Sequence, residues 1–220
     1  FKNVSFSYKE NALAILNDLN FSINKGDYVL ITGPSGSGKT TILDLIAGLI
    51  TPSDGSINSN YLDSNSNLVF SDNKAIQSSH IGYVTQSPVI FEDTLLNNIT
   101  FWDSEPNLNM VDYVIKIAGL SGFVHDLELG LNTYVGDRGD FLSGGQKQRL
   151  CLARELYKET EVLILDEVTN ALDSNTAGFI SKTLESLSDQ TTIILITHSE
   201  NSFTGYNKHF HVEAGSLVLK

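Results

Sequence analysis

Several short stretches of this chain end in residues that handle phosphate, metal or protons. Val162-Leu163-Ile164-Leu165 runs into Asp166-Glu167, Ile81–Thr85 runs into Gln86, and Thr191–Thr197 runs into His198. Asp166 suits a magnesium-water contact, and Glu167 suits a base that takes a proton from attacking water. Gln86 and His198 can each orient water, metal or phosphate. One such residue alone reads as a strand emerging into solvent, but three beside a phosphate loop favour a shared site.

That loop is Gly33-Pro34-Ser35-Gly36-Ser37-Gly38-Lys39-Thr40, with Thr41 after it, and it fits the P-loop pattern G-x-x-x-x-G-K-[ST] between a strand and a helix. Glycines let the backbone wrap an anion with its N–H groups inward, and the helix adds the positive end of its dipole. Lys39 supplies a mobile charge for the β- and γ-phosphates, and the Thr40 hydroxyl is placed to hold Mg²⁺. A glycine turn with no ligand is the plainer alternative.

A second stretch has the form of an anion site. Leu142-Ser143-Gly144-Gly145-Gln146 opens a helical run through Tyr157, with Ser143 and Gln146 spaced as a capping box. Two glycines in a first turn sacrifice on the order of 1 kcal/mol each relative to alanine, which a cap does not require. Something must approach that backbone, and a chain that already has one phosphate loop points to a nucleotide shared between two copies.

The elements that position these residues are legible in part. Val4–Tyr8 alternates with period two, and Phe21–Ile23 and Tyr28–Thr32 follow as strand-like runs, together suggesting an antiparallel edge layer. Thr40–Leu49 has helical spacing. Asn58–Ser79, polar around Leu68-Val69-Phe70, reads as a hairpin or surface loop. Ile81–Thr85, Val162–Leu165 and Thr191–Thr197 are rich in β-branched residues, as strands buried on both faces of a parallel sheet are. A mostly helical block spans roughly 94–159, and Phe210–Val212 with Leu217–Leu219 forms a closing hairpin.

Composition narrows the partners. With 14 basic against 26 acidic residues the formal charge is −12, which opposes direct binding of nucleic acid or anionic lipid. No apolar run approaches the ~20 residues that span a bilayer. Cys151 is the single cysteine, so no internal disulfide is available and a reducing compartment is expected. The first residue is Phe1 and Met110 is the one methionine, which suggests a piece of something longer. His209-Phe210-His211 reads as surface rather than metal site, and Glu155, Glu159 and Glu161 as a solvated helix face.

Together these motifs resemble the ATP-binding cassette family, the nucleotide-binding domains of ABC transporters, over essentially the whole chain. Gly33–Thr40 resembles its P-loop, Gln86 its Q-loop glutamine, Leu142–Gln146 its LSGGQ signature, and Val162–Glu167 its Walker B strand with the catalytic glutamate. Asn170-Ala171-Leu172-Asp173 is similar to its D-loop, with Asn170 where the family usually has Ser, and His198 to its switch histidine. Thr133-Tyr134-Val135-Gly136-Asp137-Arg138-Gly139 and the run from Phe91 to Ile99 resemble segments of the exporter subtype.

The resemblance implies an α/β fold: a P-loop NTPase core with a mainly parallel sheet, an antiparallel β subdomain and an inserted α-helical subdomain. The chain would be a single domain, with 1–93 and 160–220 as core and 94–159 as the helical signature part. ATP and Mg²⁺ are the implied ligands. Tyr8 would stack on adenine, and Gly33, Ser35, Gly36, Ser37, Gly38, Lys39, Thr40 and Thr41 would hold the phosphates. Ser143, Gly144, Gly145 and Gln146 would close over them from a second copy, and Asp173 would communicate between the two sites. Thr40, Gln86 and Asp166 would hold the metal, and Glu167, His198, Gln86 and Lys39 would serve hydrolysis. The implied partners are a second cassette, most simply an identical one, and a membrane bundle N-terminal on the same native chain. That places the domain at the cytoplasmic face of a membrane (inner or plasma membrane in a bacterium), powering export or the flipping of a lipid or lipid-linked substrate. A module in which ATP only regulates assembly, and a cassette ATPase of DNA repair or translation, are the rival readings.

Overall fold

The computed structural model describes residues 1–9, 13–62, 68–72, 80–168, 172–198 and 203–220. In chain order the elements begin with β1 (Lys2–Phe6), β2 (Leu16–Leu19), β3 (Tyr28–Thr32) and α1 (Lys39–Ala47). Next come β4 (Asp54–Ser56), β5 (Asn58–Leu62), β6 (Leu68–Asp72) and β7 (Ile81–Val84). The helices α2 (Leu95–Thr100), α3 (Leu108–Ile117), α4 (Ser121–His125) and α5 (Gly144–Tyr157) follow. The chain ends with β8 (Val162–Asp166), α6 (Ser174–Leu187), β9 (Thr192–Ile196), β10 (Lys208–Glu213) and β11 (Ser216–Leu219).

Six strands form one sheet in the order β11-β10-β3-β9-β8-β7. All its pairs are parallel except the hairpin of β10 with β11. The interior strands are apolar throughout because both faces are covered. Alternate residues serve different cores: Leu30, Leu163, Leu165, Ile193 and Leu195 pack toward α5 and the helices around it. Val29, Ile31, Ile164, Ile194 and Ile196 pack toward α1 and the β1-β2 layer. Parallel pairing also puts the carboxyl ends of β3, β9, β8 and β7 along one edge, where open α/β sheets bind ligands.

Two expectations about the strands need correction. Tyr28–Thr32 belongs to no antiparallel layer; it lies between β10 and β9 in the large sheet, and its five buried residues demand cover on both sides. The separate antiparallel sheet has the order β2-β1-β4. Its second strand is Leu16–Leu19 and not Phe21–Ile23. Leu16 and Leu19 both point inward across an irregular register with β1, so no period-two pattern advertises the strand. Phe21 instead stacks on Phe1 at 4.3 Å.

The acidic stretch is not a solvated face throughout. Glu155 is buried and holds Lys158 at 2.8 Å, while Glu161 meets His80 at 3.0 Å. The polar stretch after residue 57 does form a hairpin, β5 with β6, in the part described. Buried Arg154 fastens α5 to α2 and the segment before it, donating to the Asn98 carbonyl at 2.6 Å, Asn98 Oδ1 at 2.8 Å and the Val89 carbonyl at 2.7 Å. Its guanidinium also lies over the Phe91 ring at 4.8 Å.

Candidate active site

The P-loop joins β3 to α1 across a tight passage. Gly33 has φ +146°, and a Cβ there would lie 2.3 Å from the Val212 carbonyl oxygen, so no other residue fits. A Cβ on Gly36, at φ +77°, would meet nothing within 4 Å among the described residues. There the left-handed backbone, and not crowding, selects glycine. Helix α1 starts at Lys39 after Gly38 with no side-chain cap, which leaves its first N–H groups for another acceptor.

Several polar groups of the loop await a partner of the right kind. Among the described residues Ser37 Oγ is buried without a hydrogen-bond partner. Lys39 Nζ, itself buried, curls onto the loop and donates to the carbonyls of Gly33 and Pro34, both at 2.9 Å. Burial lowers the Lys39 pKa, with Glu167 and Asp166 acting against that. These features fit a polyphosphate. Ser35, Gly36 and Thr40 are exposed at the mouth, and Thr41 is buried behind it with its hydroxyl 3.4 Å from that of Tyr8. Tyr8 lies beyond the end of β1 and is 62% exposed, packed edge-on against Phe6 at 4.9 Å, so it is not a core residue. Its ring is largely exposed, as a surface that stacks on a flat ligand would be.

Strand β8 delivers the carboxylates. Thr40 Oγ1 donates to Asp166 Oδ2 at 3.0 Å. Burial raises the Asp166 pKa; the Thr40 bond and Lys39 oppose that, while Glu167 and Asp44 reinforce it. A hydroxyl and a buried carboxylate held raised in this way fit a hard oxygen-seeking cation such as Mg²⁺. Among the described residues no cluster of three His, Cys, Asp or Glu could hold a metal unaided. Substrate oxygens and waters would have to complete its shell.

Glu167 is held from two sides. Gln86 Nε2 donates to its Oε2 at 2.8 Å, and His198 Nε2 lies 2.7 Å from its Oε1. Its backbone has φ +53°, an uncommon conformation for a residue with a Cβ, and its N–H donates to the Ile196 carbonyl of β9 at 3.0 Å. The residues ending β7, β8 and β9 therefore converge on one carboxylate beside the P-loop. Sequence spacing alone could not have shown that three-way contact.

The signature residues lie apart, at the start of α5. Ser143 Oγ accepts from the Gln146 N–H at 3.2 Å, and Gln146 Oε1 accepts from the Ser143 N–H at 2.7 Å, completing the capping box. Ser143 and Gly144 are exposed, and Gly145 is buried. Asp173 caps α6, accepting from the N–H groups of Asn175 and Thr176, both at 3.0 Å, and from the Thr176 hydroxyl at 2.7 Å. Those bonds hold its carboxyl below the ordinary value. Asn170 and Ala171 lie outside the described residues.

Reading the sequence missed two features here. His209 and His211 are half-buried rather than surface groups: their Nε2 and Nδ1 lie 2.9 and 3.1 Å from Thr32 Oγ1, directly before Gly33. The i, i+2 spacing placed both imidazoles on one face of the strand, but the partner is in β3, 177 residues from His209. The N-cap role of Asp173 was readable from the helical pattern that follows it.

A family model for ABC transporters matches residues 16–170. The chain belongs to the ABC transporter family. As an ABC domain it binds ATP, and ATP hydrolysis is its enzymatic activity. Its sequence is 40% identical over 217 residues to "ABC transporter B family member 29, chloroplastic" of Arabidopsis thaliana, covering 98% of this chain and 33% of that protein. It is 36% identical over 220 residues to "Leukotoxin translocation ATP-binding protein LktB" of Mannheimia glucosida, covering 99% of this chain and 30% of that protein. Among solved structures, a bacterial Atm1-family ABC exporter with ATP bound superposes with a TM-score of 0.86 at 32% identity, covering 99% of this chain and 37% of the other. This ABC domain thus spans about a third of the length of the relatives it matches. Among its described residues no helix is long and apolar enough to cross a membrane.

Proposed function

We propose that this ABC domain hydrolyses MgATP with Glu167 as the general base, in a head-to-tail pair of identical domains, and drives an exporter-type transporter. The observation that carries the reading is the Glu167 carboxylate, held between Gln86 at 2.8 Å and His198 at 2.7 Å beside the P-loop. A carboxylate fixed at both oxygens is oriented to accept a proton, and the imidazole that donates to it can then donate to the γ-phosphate. Lys39 leaves the two loop carbonyls for the β- and γ-phosphates, Ser37 gains its missing partner, and Tyr8 stacks on the adenine. Thr40, Asp166 and Gln86 would hold Mg²⁺, which when bound neutralises charge on the β- and γ-phosphates.

Pairing of two copies is supported by the signature cap. Ser143 and Gly144 are exposed and bare of bulky side chains, and Ser143 closes its capping bonds with Gln146 within the same turn, so the cap can cover a nucleotide on another molecule. Gly145 and Gln146 belong to the same cap, and Asp173 would communicate between the two sites. Residues 94–159 form the helical part and the remainder the core of one domain. A membrane bundle on the same native chain would dock on that helical part, where the rings of Phe101 and Trp102 are about half exposed beside Phe91. The domain would then work at the cytoplasmic face of the membrane, touching neither lipid nor nucleic acid itself. Export is favoured by the printed functions of the relatives, translocation for LktB and export for the Atm1-family protein.

The test is the steady-state ATPase rate against protein concentration in Mg²⁺, with Glu167→Gln alongside. The expected rate per molecule climbs with concentration and falls by about 10²-fold or more in the mutant, which still binds ATP. Turnover retained in Glu167→Gln would remove the base assignment. Normal ATP binding with no turnover in the full-length protein would favour a regulatory module.

A further inference from the structure

Among the described residues β7 is the outermost strand of the large sheet, bonded to β8 on one side, and Gln86 lies two residues past its end. Its position therefore depends on what grips its two faces. A Cβ on Gly82 would come within 2.9 Å of Thr160 Oγ1 and 3.1 Å of Glu155 Cβ, so that face lies against the signature helix α5 and the turn after it. Tyr83 points the opposite way, as adjacent strand residues do, into the core that α1 shares. Its hydroxyl donates to Asp44 Oδ1 at 3.2 Å.

Asp44 lies one helical turn beyond Thr40, on the same side of α1. Thr40 donates to Asp166 at the end of β8, and Asp44 accepts from Tyr83 in β7. Two hydroxyl–carboxylate bonds of opposite sense thus strap the phosphate-binding helix to neighbouring strands. Thr40 and Asp166 are the pair expected to turn to the metal. Tyr83 and Asp44 have no such duty, so their bond can persist when nucleotide is bound. Burial pushes the Tyr83 phenol far above its ordinary value, with Asp44 and Asp166 adding to the effect, so it stays a donor.

We propose that Tyr83 and Asp44 are a positioning pair, holding α1 at a fixed distance from β7 and thereby setting where Gln86 meets Glu167. The proposal rests on Glu167 being the base. The test compares wild type, Tyr83→Phe and Asp44→Asn in the full-length protein, with Glu167→Gln as blank, by ATPase kinetics, melting temperature and backbone amide exchange at residues 85–87 without nucleotide. Tyr83→Phe removes the donor, whereas Asp44→Asn keeps an acceptor oxygen. Tyr83→Phe is expected to lower kcat about three- to tenfold at unchanged KM and melting temperature, and to speed exchange at 85–87. Asp44→Asn keeps most of kcat and of the protection. A wild-type kcat in Tyr83→Phe, a loss that tracks KM or melting temperature, or equal loss in Asp44→Asn would overturn the pair. Should wild type be no faster than the Glu167→Gln blank, the base assignment fails, and the exchange at 85–87 alone decides whether Tyr83 orders this segment.

Discussion

The two ends of the parallel sheet treat buried carboxylates in opposite ways. At the amino end, Asp27 precedes β3 and is buried, but Lys208 lies 2.7 Å away, the Asn24 N–H donates at 2.6 Å and Asn207 Nδ2 donates at 3.2 Å. Burial raises its pKa, yet the bonds from Lys208, Asn24 and Asn207 outweigh that and hold the carboxyl below its ordinary value. At the carboxyl end, Asp166 is equally buried and its pKa is raised, with Glu167 beside it in a strained backbone conformation. A carboxylate that is fully served stabilises the fold, and one left short of positive charge attracts a cation.

That contrast can be broken by exchanging charge for amide at each end. The largest effect is expected from Asp166→Asn. The amide oxygen can still accept from Thr40, so the nucleotide-free protein should melt no lower than wild type, while MgATP hydrolysis falls by about two orders of magnitude or more. A melting temperature well below wild type, with activity retained, would make Asp166 a structural residue. Asp27→Ala should do the reverse: a loss of about 1 kcal/mol or more in urea unfolding, since it removes the partner of Lys208, which keeps only the Ser22 carbonyl among the described residues, and leaves the Asn24 and Asn207 donors unpaired, with ATPase per folded molecule unchanged.

The smallest effect sharpens the comparison through pH. Asp27 titrates below its unfolded value of 3.8, so its contribution is complete above that value and is lost as pH falls through the folded pKa. Asp166 titrates above 3.8, so the folded state binds the extra proton and stability declines as pH rises from 3.8 through the folded value. Melting temperatures across that range should show Asp27→Asn converging on wild type in acid. Asp166→Asn should gain on wild type as pH increases. Parallel curves for both variants would mean that the two ends do not differ.

Much of the carboxyl end was legible in the sequence, because each part of it is local. A P-loop is eight consecutive residues, and the polar residues after three apolar runs follow their strands directly. The capping box of Ser143 and Gln146 was likewise readable from its three-residue spacing. The amino end was not legible, since Asp27 and Lys208 look like two ordinary surface charges until β10 is laid beside β3. The pair of imidazoles at His209 and His211 failed for the same reason: their partner Thr32 belongs to a strand whose neighbours no local pattern reveals.

By itself the sequence determined which backbone wraps a phosphate, which strands are buried and which residues stand at their ends. These follow from glycine geometry, hydrophobic periodicity and side-chain chemistry over a few residues. Only the tertiary structure decided that β3 lies in the middle of the large sheet, that Gln86 and His198 take opposite oxygens of Glu167, and that Tyr83 reaches Asp44. Sheet order is settled by packing two whole cores against one another, and a contact between residues 81 positions apart, such as Gln86 with Glu167, exists only once that packing is complete.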